Sequence, residues 1–510
     1  MEIELKLLVT AQDAHMLRGH PLLKQHAQGA PRQQDLHGIY FDTPGLDIRH
    51  CDAGLRVRRE DDAWVQTLKG GGSVDGGLHS RHEWESRVDG PAPDLAVLRQ
   101  VVDRKTRWGK LLRSHSIEEE LLPIFTANIQ RTIWDLILPG GDVVEFVLDQ
   151  GELVRGEQRV AISEIELELK AGDPAHLFDF ALALLQDVPM RIGNLSKAAR
   201  GYALFVPDAP VAVKAMPLQL VSDGSTEEAF RAIMTNCMAQ VQANEIGVAQ
   251  GHDVESLHQM RVGLRRLRSG LDLFKSLVQL PPEFHEELDW LNEVLGAPRD
   301  WDVLAQSTLP AVSSAVLEDN RIAAVTLAAL GRAHELHESA SSAVGSPRYT
   351  RLMLNITRWL HGCGWRDSLT AAERQRLDRP VHKAAARMLA RSERRLHERA
   401  SRLEGASAAT RHRVRIAVKK SRYALMFFES LYPKKSVRAY LAALSGLQDA
   451  LGRSNDRAVA HRLLRELPTA SSELVATAAF IRGFLYAHDR QEIAGLVSQW
   501  EKVAKARPPV

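Results

Sequence analysis

Met1-Glu2-Ile3-Glu4-Leu5-Lys6 alternates charged and aliphatic residues, and that alternation decides how the first 205 residues are read. Positions two apart share one face of a β-strand, so Glu2, Glu4 and Lys6 project together while Ile3 and Leu5 turn to a core. A single such segment is an ordinary edge strand with a solvated face. The pattern recurs, however. Leu55-Arg56-Val57-Arg58 sets two guanidiniums on one face, and Val65-Gln66-Thr67-Leu68-Lys69 ends in a lysine. Arg81 and Glu83 follow a glycine-rich turn, Gly70-Gly71-Gly72 to Gly76-Gly77, and Glu145-Phe146-Val147-Leu148-Asp149 alternates again. Glu164-Ile165-Glu166-Leu167-Glu168-Leu169-Lys170 sets three carboxylates and a lysine against aliphatics.

A sheet with one apolar face and one face of acids and bases is either flat and solvated or closed around a charged lumen. Acids and bases segregated by strand favour closure over a solubilising surface. Clustered carboxylates repel unless a divalent cation neutralises them. Clustered bases suit phosphate, whose oxygens match the forked donors of arginine.

The set Glu2-Ile3-Glu4-Leu5-Lys6, Tyr40-Phe41-Asp42-Thr43, Leu55-Arg56-Val57-Arg58, Leu68-Lys69-Gly70, Arg81, Arg131, Asp149, Glu164-Ile165-Glu166 and Ser196-Lys197-Ala198-Ala199-Arg200-Gly201 resembles the CYTH domain of the triphosphate tunnel metalloenzymes. The resemblance implies an eight-stranded antiparallel tunnel, a divalent metal, and hydrolysis or transfer at a triphosphate. In that frame Glu2 and Glu4 hold Mg²⁺ or Mn²⁺, both suited to hard oxygen donors. Asp149, Glu164 and Glu166 bind a second ion or orient the attacking water, and Glu168 shares their face nearer the strand end. Lys6, Arg56, Arg58, Lys69, Arg81, Arg131 and Lys197 are the expected catalytic bases, neutralising the phosphates and the charge spread on the transferred group. Tyr40-Phe41-Asp42-Thr43, ahead of Pro44, reads as a strand entering a turn with a structural role.

A chain of 510 residues exceeds what one core serves. Charge locates the division: residues 1–210 carry 24 Lys+Arg against 32 Asp+Glu, and residues 211–510 carry 42 against 32. The sign changes across Val206-Pro207-Asp208-Ala209-Pro210 to Ser222-Asp223-Gly224-Ser225, rich in Pro, Gly and small residues. The expected domains are therefore residues 1–205, a linker over 206–224, and residues 225–505.

The basic second part reads helical, with apolar residues at three- and four-residue spacing, and it contains a repeat. His258, Arg261, Arg265, Arg266, Arg268 and Phe274 recur as His412, Arg415, Lys419, Lys420, Arg422 and Phe428. Downstream, Leu295-Gly296 and Asp300 are echoed by Leu451-Gly452 and Asp456. Two related halves, about 225–370 and 371–505, follow. At 3.6 residues per turn, His258, Arg261, Arg265 and Arg268 fall within an arc of ~80°, opposite Met260, Leu264, Leu267, Leu271 and Phe274. A basic stripe is commonly just a solvated face. Like charges stacked at this spacing cost ~0.2–0.5 kcal/mol per close pair, and incurring that twice argues for a polyanion that relieves it.

His258-Gln259-Met260-Arg261-Val262 with Arg265 and Arg268, and His412-Arg413-Val414-Arg415 with Lys419, Lys420, Arg422 and Tyr423, resemble the CHAD domain, an α-helical domain often found after a CYTH domain. The resemblance implies two related helical bundles and inorganic polyphosphate as ligand, with Arg266 among its contacts. Arg299-Asp300 becomes Asn455-Asp456 in the second copy, so the halves need not bind equally.

The expected fold is thus α+β in two domains: an eight-stranded antiparallel β-barrel tunnel with flanking helices, then an all-α duplicated helical bundle. The expected function is an inorganic triphosphatase releasing pyrophosphate and phosphate, with inorganic triphosphate and inorganic polyphosphate as partners. Alternatives are a polyphosphate-localising protein with little catalysis, a nucleoside or thiamine triphosphatase, and an adenylate cyclase. Nucleic acid is disfavoured, because aromatics are 6% of the chain and no base-reading motif accompanies the stripes. Three scattered cysteines, Cys51, Cys237 and Cys363, fit a reducing compartment. No apolar run approaches the ~18 residues of a membrane span, and the N-terminus lacks a signal's basic and apolar regions. The expected location is cytoplasmic, with polyphosphate granules as an association.

Overall fold

The structure is a computed structural model and describes residues 1–60, 62–206, 211–251, 253–316, 320–467 and 472–509. It divides into two compact units, Met1–Ala209 with Gly345–Gly362, and Pro210–Val344 with Cys363–Val510.

In the first unit the alternating segments become strands: β1 (Glu2–Val9), β2 (Arg32–Asp42), β3 (Ala53–Glu60), β4 (Ala63–Asp75), β5 (Leu78–Val88), β6 (Leu122–Ile137), β7 (Val143–Arg155), β8 (Gln158–Ala171) and a short β9 (Met190–Ile192). The order is β5-β4-β3-β2-β6-β7-β8-β1, and β1 pairs back onto β5 through residues 2–5. Eight antiparallel strands therefore close into a barrel, while β9 takes the same edge of β1 at residues 7–9. Closure removes the unpaired edges an open sheet would expose. The β4–β5 ladder slips register between Gly70 and Ser73. Gly72 has φ +91°, and a Cβ there would lie 1.7 Å from the Ser80 carbonyl oxygen, so only glycine lets the strands approach at this bend.

The aliphatic set of each strand points outward and is covered. Phe41, Leu55, Val57 and Leu68 pack with Leu98, Val102, Leu112 and Ile117, contributed by the segment of short helices between β5 and β6. On the other side Leu5, Leu7, Phe146, Ile165 and Leu167 are fully buried, with helix Pro174–Leu184 packed on β1 and β8. Each such side chain contributes about 1.5–3 kcal/mol, and a register slip of one residue would forfeit the whole set. Helix Pro347–His361 packs on helix Pro174–Leu184 and on β9. His361 stacks on Phe178 at 5.8 Å and reaches Asp75 at 3.0 Å.

The second unit is helical. Thr226–Gln242, Val254–Phe274, Pro282–Val303 and Asn320–Val344 form one set of long helices, and Val381–Ala400, Ala408–Phe428, Lys434–Glu466 and Ser472–Lys505 the other. Val254–Phe274 and Ala408–Phe428 are each 21 residues long and carry the two basic stripes at the same helical positions. A shared apolar cluster, including Trp301, Leu309, Val325, Leu463 and Ile481, joins the later helices of both sets. Among the described residues no helix is long and apolar enough to cross a membrane.

Candidate active site

Because the aliphatics face outward, the charged positions share the lumen. They surround a cavity of about 390 Å³ lined by Glu2, Glu4, Lys6, Arg56, Arg58, Lys69, Arg81, Arg131, Glu166, Glu168 and Lys197, together with Glu83, Glu85 and Glu145. The lumen is not charged throughout. Leu36, Tyr40, Phe125, Ala127, Ile129, Leu153 and Ile162 cluster with Tyr202 and Leu204 of helix Lys197–Phe205, and they share strand parity with the charged residues. Tyr40 stacks on Phe125 at 4.4 Å. A Cβ on Gly201 would lie 2.1 Å from the Phe125 ring, so a residue without a side chain is what admits the helix. It also delivers Lys197 into the lumen.

Asp149, Glu164 and Glu166 each place a carboxylate oxygen within 4.8 Å of the others, a buried acidic cluster. Four cations converge on it. Lys197 Nζ lies 2.6 Å from Asp149, 2.6 Å from Glu164 and 2.9 Å from Glu166. Lys6 Nζ donates to Glu166 at 2.5 Å and to Glu164 at 3.3 Å. Arg131 grips Asp149 through Nε at 2.8 Å and Nη2 at 2.6 Å, while Arg200 pairs with Glu164. Burial pushes the Asp149 carboxyl up, but Lys197 and Arg131 outweigh it and hold the group below the usual range. Glu166 likewise sits well below it, with Lys197, Lys6 and Arg131 overcoming burial. Burial alone would lower the Lys197 ammonium; Asp149 and Glu166 raise it. Asp149, Glu166 and Lys197 therefore hold one another in their charged forms.

Away from this cluster the lumen is less balanced. Among the described residues, Arg56 Nε is buried without a hydrogen-bond partner, and its Nη2 has only Thr67 at 3.4 Å. Burial, Arg56 and Arg131 together lower the Arg58 guanidinium, with Glu60 opposing them. Lys69 bridges Glu2 at 2.6 Å and Glu83 at 3.0 Å. Glu4 stands opposite Glu168 across the β1–β8 ladder. Burial raises the Glu168 carboxyl, and Glu2 and Glu145 add to this against the pull of Lys170. Carboxylates that repel each other in a partly open lumen are where a dication would relieve charge, and their oxygen-only donor set fits a hard metal. Asp42 is fully buried, accepting from the Ile48 and Arg49 amides and from the Tyr202 hydroxyl at 2.9 Å.

In the helical unit, the stripes of Val254–Phe274 and Ala408–Phe428 come together. Burial disfavours the charged forms of Arg261, Arg415 and Lys419, and the guanidinium of Arg265 beside them adds to it in each case. Arg261 is pushed down to about 10 and Lys419 to about 7. His258 falls to about 4 through burial and Arg299. Among the described residues, Arg261 Nε and Nη1, Arg265 Nε and Arg415 Nε are buried without hydrogen-bond partners. A Cβ on Gly296 would lie 2.7 Å from Arg261 Nη1, so that glycine makes room for the guanidinium. Asp456 lies 3.9 Å from Arg415, and Asp300 3.3 Å from Arg462. The other basic residues of the repeat point elsewhere. Arg266 is buried and bonded to Gln240 and Asn236, both at 2.7 Å. Lys420 holds Asp272 at 2.9 Å, Arg268 pairs with Asp289, and Arg422 lies over the Tyr423 ring. His412 is exposed, with Nδ1 3.2 Å from Asn455 Oδ1.

Sequence reasoning left Glu85 unassigned, set Lys170 only on the charged face of its strand, and carried Arg200 and Arg299 within motifs without giving either a contact. The alternation Glu83-Trp84-Glu85 carried a usable signal for Glu85. Arg200 did not, because it reaches Glu164 from a helix and only the packing of that helix puts it there.

The fold and site define a barrel with a charged lumen followed by a duplicated helical domain with facing basic stripes. Comparison with known proteins agrees: the CYTH domain family matches residues 1–202 and the CHAD domain family residues 232–465. The chain thus carries a CYTH domain followed by a CHAD domain. A curated Haemophilus influenzae protein named inorganic triphosphatase is 34% identical over 204 residues, 40% of this chain and 54% of that protein. The chain spans about half the length of this curated relative. The crystal structure of the CHAD domain from Ricinus communis is 39% identical, covering 59% of this chain and 99% of its own, with TM-score 0.54.

Proposed function

We propose that residues 1–205 form a divalent-metal-dependent inorganic triphosphatase and that residues 225–505 bind inorganic polyphosphate. The observation that carries the first part is the division of the lumen: a compensated acidic cluster and, away from it, Arg56 with a donor that is buried and unpartnered among the described residues. The likeness of the first domain to a protein named inorganic triphosphatase supports the same substrate.

Lys69, Arg81, Arg56 and Arg58 line up phosphate oxygens, and Arg131 and Lys197 neutralise charge near the acidic cluster. Glu2 and Glu4, with Glu168, are the residues we assign to Mg²⁺ or Mn²⁺, which would supply Lewis-acid polarisation of the phosphate oxygens. Asp149, Glu164 and Glu166 orient the attacking water or hold a second ion. Water attacks the terminal phosphorus, the P–O anhydride bond breaks, and pyrophosphate leaves. The apolar cluster around Tyr40, Phe125 and Tyr202 fills part of the lumen and bounds the space left for the substrate.

For the second part, Arg261, Arg265, Arg415 and Lys419 hold like charges together with unpartnered donors, an arrangement that a chain of phosphates would relieve. A polyphosphate-binding half would hold the enzyme at polyphosphate granules in the cytoplasm.

Phosphate release from inorganic triphosphate, ATP, thiamine triphosphate and long-chain polyphosphate, with Mg²⁺, with Mn²⁺ and with chelator, tests the reading. Fast, metal-dependent cleavage of triphosphate over the others, lost in Glu2→Gln/Glu4→Gln, is expected. ATP cleaved best would replace the substrate. No cleavage with polyphosphate binding retained would leave a binding protein.

A further inference from the structure

The duplication supplies an internal control for every basic residue in the helical unit. Helix Val381–Ala400 carries Lys383, Arg387, Arg391, Arg395 and Arg399 at strict four-residue spacing, all exposed. Its counterpart in the first half, Thr226–Gln242, has a single basic residue, Arg231. The fold therefore does not need the row. Successive like charges at this spacing each cost ~0.2–0.5 kcal/mol, and the row extends ~24 Å along the helix at 1.5 Å per residue.

The row is also more than a convex solvated face. Arg391, Arg395 and Arg399 line a groove of about 280 Å³ with Lys275 and Lys420, where helices Val254–Phe274 and Ala408–Phe428 approach. Asp272 is the one acid in its lining, and it is shared between Lys275 and Lys420, both at 2.9 Å. Arg391 reaches only Ser276 Oγ, at 3.5 Å; among the described residues, Arg391, Arg395 and Arg399 make no ion pair. Lys419 and Lys420 are adjacent on one helix and so point about 100° apart: the first joins the facing stripes, the second the groove.

We propose that this groove is a second polyanion site, separate from the facing stripes, and that its ligand is an extended inorganic phosphate chain. Forked guanidiniums match phosphate oxygens, and the lining contains no aromatic side chain on which a base could stack. A chain long enough to occupy both sites gains by linkage, whereas a short one occupies them independently. The proposal rests on polyphosphate binding by the helical domain.

The test compares the full chain with R391Q/R395Q/R399Q, with its lysine counterpart R391K/R395K/R399K, and with R265Q/K419Q, titrating short- and long-chain polyphosphate over a range of salt. The glutamine triple variant is expected to bind the long chain about tenfold or more weakly, with the slope of log K against log salt reduced by about two. The lysine variant should keep the slope, and circular dichroism should be unchanged because all three positions are exposed. If the wild type binds polyphosphate and the glutamine variant binds with the same slope, the groove is refuted while the ligand reading of the domain survives. If the wild type binds none, both fall. A single-stranded oligonucleotide held more tightly than polyphosphate and lost in the glutamine variant would overturn the assigned ligand.

Discussion

Replacing Lys197 with methionine removes the cation at the centre of the acidic cluster while keeping most of its volume. Its ammonium lies within 2.9 Å of three carboxylates that are almost wholly buried. Each contact at an effective dielectric near 20 is worth about 6 kcal/mol of attraction, much of it offset by the desolvation of the lysine. Lys6, Arg131 and Arg200 remain to compensate the cluster. Removing one partner from a buried ionic group costs roughly 3–5 kcal/mol, and that range is the expected loss at neutral pH. The chain has two units, so a single unfolding midpoint would mix them. Hydrogen exchange of peptides from β7 and β8 reads the affected region alone.

The sign with pH is fixed. Asp149 and Glu166 have folded pKa values below their unfolded ones, so in the wild type their contribution is present above the unfolded carboxylate range and fades as pH falls through the folded values. Without Lys197 that depression shrinks or reverses. The deficit of the variant should therefore be greatest at neutral pH and should narrow towards about pH 4 as the carboxylates protonate. A loss below about 1 kcal/mol that does not vary with pH would refute the assignment of Lys197 as the central compensating charge.

Arg56→Lys should lower kcat/KM for triphosphate by about tenfold to a hundredfold through loss of the forked donor, with the thermal transition of the first unit nearly unmoved; steady-state kinetics and a melt check both. Arg131→Lys, which gives up a bidentate bond to Asp149, should by contrast lower stability as well as activity. Polyphosphate affinity should fall as pH rises through about 7, the value to which Lys419 is pushed by burial, Arg415 and Arg265, and Lys419→Arg should flatten that dependence in binding titrations. Tyr202→Phe should cost about 1 kcal/mol in urea unfolding followed through the first unit, since Asp42 keeps its backbone donors.

The alternation in β1, β3 and β8 made the barrel legible in the sequence, because a period of two assigns every charge and every aliphatic to a face without knowledge of the partners. The repeat of His258 to Phe274 as His412 to Phe428 did the same for the helical unit, since identical spacing on two helices implies identical faces. Which residues meet is a different matter. Lys197 and Arg200 enter the lumen from a helix whose approach depends on Gly201 clearing Phe125, and no local pattern encodes that contact. Nor could spacing divide the basic residues of the repeat, where Arg261, Arg265, Arg415 and Lys419 converge while Arg266 turns into a hydrogen-bonded core and Lys420 into another groove. Helix Pro347–His361 packs within the first unit although it lies between helices of the second. Local periodicity, set by backbone geometry, thus determined the element types, the faces and the chemistry each face offers. The compensation of charge, the apolar cluster in the lumen and the choice among like residues arise from contacts distant in sequence, and only the tertiary structure decided them.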